Sequence, residues 1–377
     1  MTKTLVLGAG RVGAVIAADL AAEADLDVTV ADRSASALSG ARARAGGSLA
    51  IRRADLSDAE AVRALAAEFD LVVGALPSRL GLAALRAVIE AGRPFADISF
   101  MPQDARGLDA LARSRGVAAV VDIGVAPGMS HLLAAHGVRR LAGAQRVRIL
   151  VGGVPLEPRP PFFFKAAFAP GDVVEEYTRP ARLVEGGRVV ERAALSIVEP
   201  VELPGVGRME AGLTDGLRSL VHSLAVPEMV ELTLRWPGHY GLIRALQSAG
   251  FFSTEPLSVG SAQLRPLDLT SALLAQQWTY SEGEQDLTVM RVEVCGSGRK
   301  LVWDLVDRYD SATQTTSMAR TSGFPCAIVA RLLADGTIAE PGVHPPEHLS
   351  SIPGLVQRVL AEHARRGVHY REEALEP

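Results

Sequence analysis

The feature that most constrains this chain is Leu5-Val6-Leu7-Gly8-Ala9-Gly10-Arg11-Val12-Gly13, a G-x-G-x-x-G turn between an apolar strand-like run and an Ala-rich segment of helical period. Gly8 permits the tight turn, Gly10 lets the backbone approach a pyrophosphate, and Gly13 lets the helix pack on the strand. The N–H groups that open the helix, at Arg11, Val12 and Gly13, then face the phosphates with the positive end of the helix dipole. The next β-rich run ends at Asp32, at the spacing of about 20 residues where a carboxylate bonds a ribose 2′-hydroxyl. That selects NAD over NADP, because a 2′-phosphate would meet like charge. Arg33 is the counter-signal, since it can cover an adenine or pair with a 2′-phosphate if Asp32 turns away.

The first 125 residues alternate short apolar runs with longer Ala/Leu/Arg segments, the pattern of a parallel sheet with crossover helices. Strands are expected at Thr4–Leu7, Val28–Ala31, Leu49–Arg52, Leu71–Gly74, Pro94–Asp97 and Ala118–Asp122, with helices at Val12–Ala24, Ala59–Phe69, Gly81–Ala91 and Gly107–Ser114. Six such strands make a Rossmann-type, doubly wound α/β domain, whose ligands sit at the carboxyl ends of the strands. That rule places Asp55 and Leu56 near an adenine, Ala75, Leu76 and Pro77 beside the dinucleotide, and Ser99 and Ile123 toward the nicotinamide. Beyond Gly128 the texture becomes α+β and largely antiparallel. Helices are expected at Met129–Arg140, Gly216–Ser223, Tyr240–Ala249, Thr321–Asp335 and Leu355–Arg366.

Composition narrows the partner. A length of 377 residues suits two domains, and a net charge of −4 lacks the basic excess that nucleic acid demands. No apolar run approaches the roughly 18 residues of a membrane span. Cys295 and Cys326 stand far apart, and His131 and His136 lack ligand spacing on a helix, so no disulfide framework and no metal is expected. A small-molecule substrate and a cytoplasmic location fit. Lys165 stands out because lysine is rare in this arginine-rich chain.

Several longer motifs, in order, carry a resemblance: Asp97-Ile98-Ser99-Phe100-Met101-Pro102, Asp122-Ile123-Gly124-Val125-Ala126-Pro127-Gly128-Met129-Ser130, Gly152-Gly153-Val154-Pro155, Glu175-Glu176-Tyr177-Thr178-Arg179-Pro180-Ala181, Thr214-Asp215-Gly216-Leu217-Arg218-Ser219, Leu234-Arg235-Trp236-Pro237-Gly238-His239 and Thr321-Ser322-Gly323-Phe324-Pro325. Over nearly its whole length the chain resembles the saccharopine dehydrogenase-like superfamily, most of all its lysine 6-dehydrogenase branch. The resemblance implies a dinucleotide-binding domain split in sequence, 1–125 and 315–377, around an α+β domain, 126–314, that binds substrate and dimerises. It also implies NAD-dependent oxidative deamination of L-lysine at C6, with a saccharopine or carboxynorspermidine-type dehydrogenase and a non-catalytic dinucleotide sensor as alternatives. Phe100 departs from the tyrosine expected in the saccharopine-oxidising branch and cannot donate a hydrogen bond there.

On that reading the ε-amine must lose its proton before hydride leaves, although its reference pKa is about 10.4. Asp122 is a candidate base or orienting carboxylate, or holds a turn; His239, in an expected loop, is a second base or bonds a backbone carbonyl. Arg218 first and Arg235 second are expected to fork the α-carboxylate, unless Arg218 pairs with a surface acid and Arg235 faces solvent. Asp215 takes the α-ammonium or caps a helix, Lys165 contacts the carboxylate or the imine's water, and Phe100 with Phe162, Phe163 and Phe164 forms an apolar wall or core.

Overall fold

The computed structural model describes residues 1–166, 170–281 and 283–375. It divides into two compact units: Met1–His136 with Ala319–Val368, and Gly137–Met318 with the chain from His369 onward.

In the first unit, strands β1 (Thr2–Leu7), β2 (Leu26–Asp32), β3 (Ala50–Arg53), β4 (Leu71–Gly74), β5 (Phe95–Asp97) and β6 (Ala118–Val120) are all parallel, in the order 6-5-4-1-2-3. This is the expected doubly wound sheet. Its central strands, Leu5-Val6-Leu7 and Leu71-Val72-Val73, are buried on both faces, which is why they read as unbroken apolar runs rather than alternating ones. A seventh strand, Gly342–His344, pairs parallel with β6. The helix Ala35–Arg44 also lies outside the expected set; Ser34 caps it by accepting from the Ala37 N–H at 3.2 Å, and only Leu38 and Ala41 are buried, too little for an apolar stripe.

The second unit is a nine-stranded mixed sheet around the long strand β7 (Ala144–Pro155), which pairs parallel with Glu228–Arg235 and antiparallel with Asp286–Gly296. A core of Phe164, Val173, Tyr177, Tyr240, Ile243, Leu274 and Trp278 joins the helices Pro170–Thr178, His239–Ser248 and Pro266–Trp278.

Two expectations need correction here. The split at residues 125 and 315 moves to His136 and Met318, inside the helices Met129–Arg140 and Ser317–Ala334, and the chain from His369 onward leaves the dinucleotide unit. Its strand Tyr370–Leu375 pairs antiparallel with Arg299–Arg308, covering what would otherwise be an open sheet edge. The expected helix at Gly216–Ser223 shrinks to Leu220–Ser223, because Arg218 adopts a positive φ of 45° that no right-handed helix contains.

Candidate active site

The cofactor turn is built as its glycines require. Gly8 has φ of 102°, and a Cβ there would lie 2.5 Å from the Ala75 carbonyl oxygen. At Gly13 a Cβ would collide with the Gly8 carbonyl oxygen. At Gly10, which precedes the helix α1 (Arg11–Ala21), a Cβ would meet nothing within 4 Å. Two glycines therefore serve the packing of the turn, and the third leaves space where a dinucleotide phosphate fits against the helix N-terminus. Val12 is half-buried beside this opening and Arg11 is exposed.

Asp32 is half-buried at the end of β2. Its Oδ2 accepts from the Ala9 N–H at 2.8 Å and its Oδ1 from the Ser34 N–H at 2.8 Å, so the carboxylate is fixed against the turn by two backbone donors. Arg33 is exposed beside it, and Arg53 reaches the Arg33 carbonyl oxygen through Nε at 3.3 Å. Asp55 is exposed and accepts from the Ser57 N–H and hydroxyl, bonds that hold its pKa below the usual value, while Leu56 is buried. Ala75 donates to the Leu7 carbonyl at 2.9 Å, with buried Leu76 and exposed Pro77 after it. Ser99 and Ile123 are buried at the ends of β5 and β6, and Phe100 is half-buried. Asp122 lies beyond the end of β6 rather than inside the strand, buried, with φ of 55°.

The second unit holds a buried polar network that alters several expected roles. Arg235 is buried: its Nε donates to the Tyr177 hydroxyl oxygen at 2.9 Å, its Nη2 to Glu176 at 3.1 Å and its Nη1 to the Leu234 carbonyl at 3.0 Å. The guanidinium also lies over the Phe164 ring, 4.4 Å from its centroid. Each of its three nitrogens makes an internal bond and the side chain is buried, so Arg235 does not face solvent, and three of its five N–H donors are already committed within this unit.

His239 opens a helix instead of sitting in a loop, and it is fully buried. Its Nδ1 lies 2.8 Å from the Phe162 carbonyl oxygen, which can only accept, so Nδ1 carries the proton and Nε2 accepts from the Tyr177 hydroxyl at 2.9 Å. Burial, and then the charge of Arg235, push its pKa down to about 3. With Nε2 occupied and basicity suppressed, His239 is no general base.

Asp215 does not cap a helix, since the helix that follows begins only at Leu220. Arg182 forks it, Nε to Oδ1 at 3.0 Å and Nη2 to Oδ2 at 2.9 Å, and the Arg182 N–H adds a third bond at 3.1 Å. Arg218 is buried near Glu231, a residue not singled out in the sequence, whose carboxyl is packed against Gly216. Burial first, then the neighbouring Glu176 and Asp215, raise the Glu231 pKa to about 8, opposed by Arg218. Lys165 pairs with Glu284 at 3.0 Å and donates to the Thr279 carbonyl at 3.0 Å, on the wall of a cavity of about 430 Å³ also lined by Arg159, Phe164 and Gln285. Phe164 belongs to the core, and Phe162 packs against it. Among the described residues no His/Cys/Asp/Glu cluster could hold a metal, and no helix is long and apolar enough to cross a membrane.

Comparison with known proteins identifies this combination. Residues 4–120 match the saccharopine dehydrogenase NADP binding domain, and residues 124–368 match the saccharopine dehydrogenase C-terminal domain. The chain belongs to the saccharopine dehydrogenase family. It is similar to saccharopine dehydrogenase [NADP(+), L-glutamate-forming] of Schizosaccharomyces pombe, 23% identical with both chains fully covered. It is also similar to the enzyme of that name from Saccharomyces cerevisiae, 22% identical over 98% of this chain and 99% of the relative. The apo structure of S. cerevisiae saccharopine dehydrogenase superposes with a TM-score of 0.81 at 20% identity, covering all of both chains, and shares the fold. Family membership bears out the resemblance, the Rossmann-type fold with its α+β partner, and the class, an oxidoreductase that uses a nicotinamide dinucleotide. The domain description and the relatives' names give NADP, so the choice of NAD drawn from Asp32 finds no support there.

Proposed function

We propose that this protein is a dinucleotide-dependent amine dehydrogenase that oxidises L-lysine at C6, with NAD as its preferred cofactor and a homodimer as its working form in the cytoplasm. The observation that carries the reading is the turn closed at Gly8 and Gly13 and open at Gly10, in a chain matched by both domains of the family. When bound, the dinucleotide supplies the hydride acceptor. What this chain adds is the fixed Asp32 carboxylate against the ribose, Asp122 at the strand ends as the proton acceptor, and Arg218 for the α-carboxylate. The imine left at C6 is hydrolysed by water to the semialdehyde and ammonia.

Two features favour lysine over a larger tricarboxylate. The alignment with the S. pombe relative runs over 462 positions, more than the 377 residues here, so that enzyme carries segments this chain lacks. In addition, Arg182 and Arg235 are engaged with Asp215 and Glu176, which reduces the cationic surface available to extra carboxylates. A second reading, oxidation of a secondary amine such as saccharopine, is favoured by the names of the relatives.

The deciding assay follows reduced cofactor from NAD or NADP with L-lysine, D-lysine, ornithine, saccharopine and carboxynorspermidine across pH 7 to 10. Ammonia release with lysine supports the first reading. Glutamate release from saccharopine with no turnover of lysine replaces it with the second, and cofactor binding without turnover of any amine leaves only a dinucleotide binder. Arg218→Ala is expected to raise the KM for lysine by a factor corresponding to about 2–3 kcal/mol of lost charge-assisted bonding; an unchanged KM removes Arg218 from the pocket.

A further inference from the structure

Residues 254–265 of the second unit are exposed without interruption. They carry a hairpin of two short strands, Leu257–Val259 and Ala262–Leu264, joined at Gly260-Ser261 with Gly260 at a φ of 62°. The register pairs Leu257 with Leu264, Ser258 with Gln263 and Val259 with Ala262. Cross-strand partners share a face and neighbours alternate, so Leu257, Val259, Ala262 and Leu264 form one wholly apolar face. Ser258 and Gln263, bonded to each other at 2.7 Å, form the polar one. The apolar face is nevertheless as open as the polar face, and among the described residues the two strands pair with no third. A lone two-stranded hairpin is marginal in water and needs a further strand or an apolar surface to hold it. The helix Pro266–Trp278 that follows repeats the pattern. Its buried stripe is Thr270, Leu274 and Trp278, the last two in this unit's core, while Leu269 and Leu273, about 100° round the helix from that stripe, are exposed.

Ten large hydrophobic side chains are exposed among the described residues, and six of them, Phe251, Leu257, Val259, Leu264, Leu269 and Leu273, lie within 251–273 at 42 to 59% exposure. Half-exposed side chains of that size offer on the order of 500 Å² of apolar surface, close to what one partner brings to a homodimer interface that is about 65% apolar over about 800 Å². Charge is scarce in the same stretch. Residues 251–278 hold Glu255, Arg265 and Asp268 as their only charged side chains in a chain that is 22% charged, and Arg265 forks Asp268 at 2.7 and 2.8 Å. Such depletion marks the core of an interface, and with its one cation neutralised internally the patch neither attracts anionic lipid nor repels a copy of itself. We propose that two copies of the chain associate through this segment about a two-fold axis, each covering the other's apolar hairpin face and helix stripe. A contact of that symmetry requires a patch complementary to itself, and an apolar, nearly neutral face with open strand edges has that property. The proposal rests on the homodimer of the proposed function and names its surface.

The experiment is sedimentation velocity of the full chain over a wide dilution series, in which wild type is expected at twice the mass of one chain. Leu257→Lys with Val259→Lys, and separately Leu269→Glu with Leu273→Glu, set like charges across the two-fold axis and are expected to weaken association at least about hundredfold. Val189→Glu, at an exposed apolar residue elsewhere in this unit, is expected to leave it unchanged. All these side chains are already exposed in the single chain, so far-UV circular dichroism of the variants is expected to match wild type. Amide exchange of wild type needs no variant: residues 257–264 are expected to be protected in the concentrated protein and to lose that protection on dilution. If wild type is a dimer but both variants leave it intact, or 257–264 exchange fast at every concentration, the surface falls and the homodimer stands through another face. A monomer at every concentration overturns both, and a monomer that sediments with phosphatidylcholine vesicles gives the patch to a lipid surface instead. Amine oxidation is scored separately on the same wild-type protein, so a failure of the chemistry is not mistaken for a failure of the contact.

Discussion

Replacing Tyr177 by Phe removes one oxygen from the middle of the buried network in the second unit, and its cost can be worked from the bonds that oxygen makes. It accepts from Arg235 Nε and donates to His239 Nε2, both at 2.9 Å. After substitution a charged donor and a ring acceptor are left buried without that partner. At about 1–3 kcal/mol per unsatisfied buried group, and more for a charged one, the loss is about 3–5 kcal/mol, reduced by about 1 kcal/mol because the phenol no longer has to be desolvated. The ring itself stays packed edge-on against Trp278 and Tyr240, with centroids 6.3 and 6.2 Å away, so no cavity adds to the figure. The expected net destabilisation is therefore about 2–4 kcal/mol. Urea unfolding followed by tryptophan emission measures it in the right place, because Trp236, Trp278 and Trp303 are the only tryptophans and all lie in the second unit. A loss below about 1 kcal/mol with an unchanged m-value would refute the network as drawn. The same experiment carries a pH sign. His239 is held down to about 3, so between its unfolded value and that point the unfolded chain binds a proton that the native state refuses. The contribution of His239 to stability is therefore fully present above about 6.5 and is lost as pH falls from there towards 3, the opposite sign to that of Glu231.

Three further outcomes separate structure from ligand contact. Gly10→Ala is expected to leave the melting temperature within about 1 °C while weakening dinucleotide binding at least about tenfold, whereas Gly13→Ala is expected to destabilise the first unit by about 1–3 kcal/mol; calorimetry and cofactor titration distinguish them, and equal behaviour would mean the turn does not face a phosphate. Asp32→Gly is expected to lower the preference for NAD relative to NADP, read as the ratio of kcat/KM values, and an unmoved ratio would place ribose discrimination elsewhere. Glu231, with its pKa raised to about 8, contributes its full stability only while protonated in the native state, and that contribution is lost as pH rises from about 4.5 through 8. Glu231→Gln should therefore gain stability relative to wild type at pH 9 compared with pH 6, and a constant difference between the two pH values would contradict a protonated Glu231.

What could be read from the chain alone was local. The glycine turn and the strands β1 to β6 follow from rules acting over a few residues, and the apolar runs at Leu5–Leu7 and Leu71–Val73 are legible because a parallel sheet buries both faces. The helix Ala35–Arg44 escaped because it buries too little to show a stripe, and Gly342–His344 because three residues carry no period. The strand Tyr370–Leu375 has a half-polar pattern that only the edge of Arg299–Arg308 turns into a ladder.

The buried setting of Arg235 escapes the sequence for a different reason. In Val230-Glu231-Leu232-Thr233-Leu234-Arg235 strict alternation assigns Glu231, Thr233 and Arg235 to one face, and the ordinary inference sends a polar face to water. Here both faces are covered, and Glu231, Thr233 and Arg235 are each less than 10% exposed. The helix Pro170–Thr178 meets Arg235 with polar groups of its own, Glu176 and the Tyr177 hydroxyl, and Thr233 meets the Thr214 hydroxyl at 2.6 Å. Binary pattern records the period of a strand but not the polarity of what covers it. The informative signal was in the partner segment, Glu175-Glu176-Tyr177, whose acidic and phenolic groups complement an arginine that a single strand cannot satisfy. A covering apolar helix would have left Arg235 with an uncompensated charge, so the two segments are intelligible only as a pair, and a substitution in either must be judged by what it strands in the other.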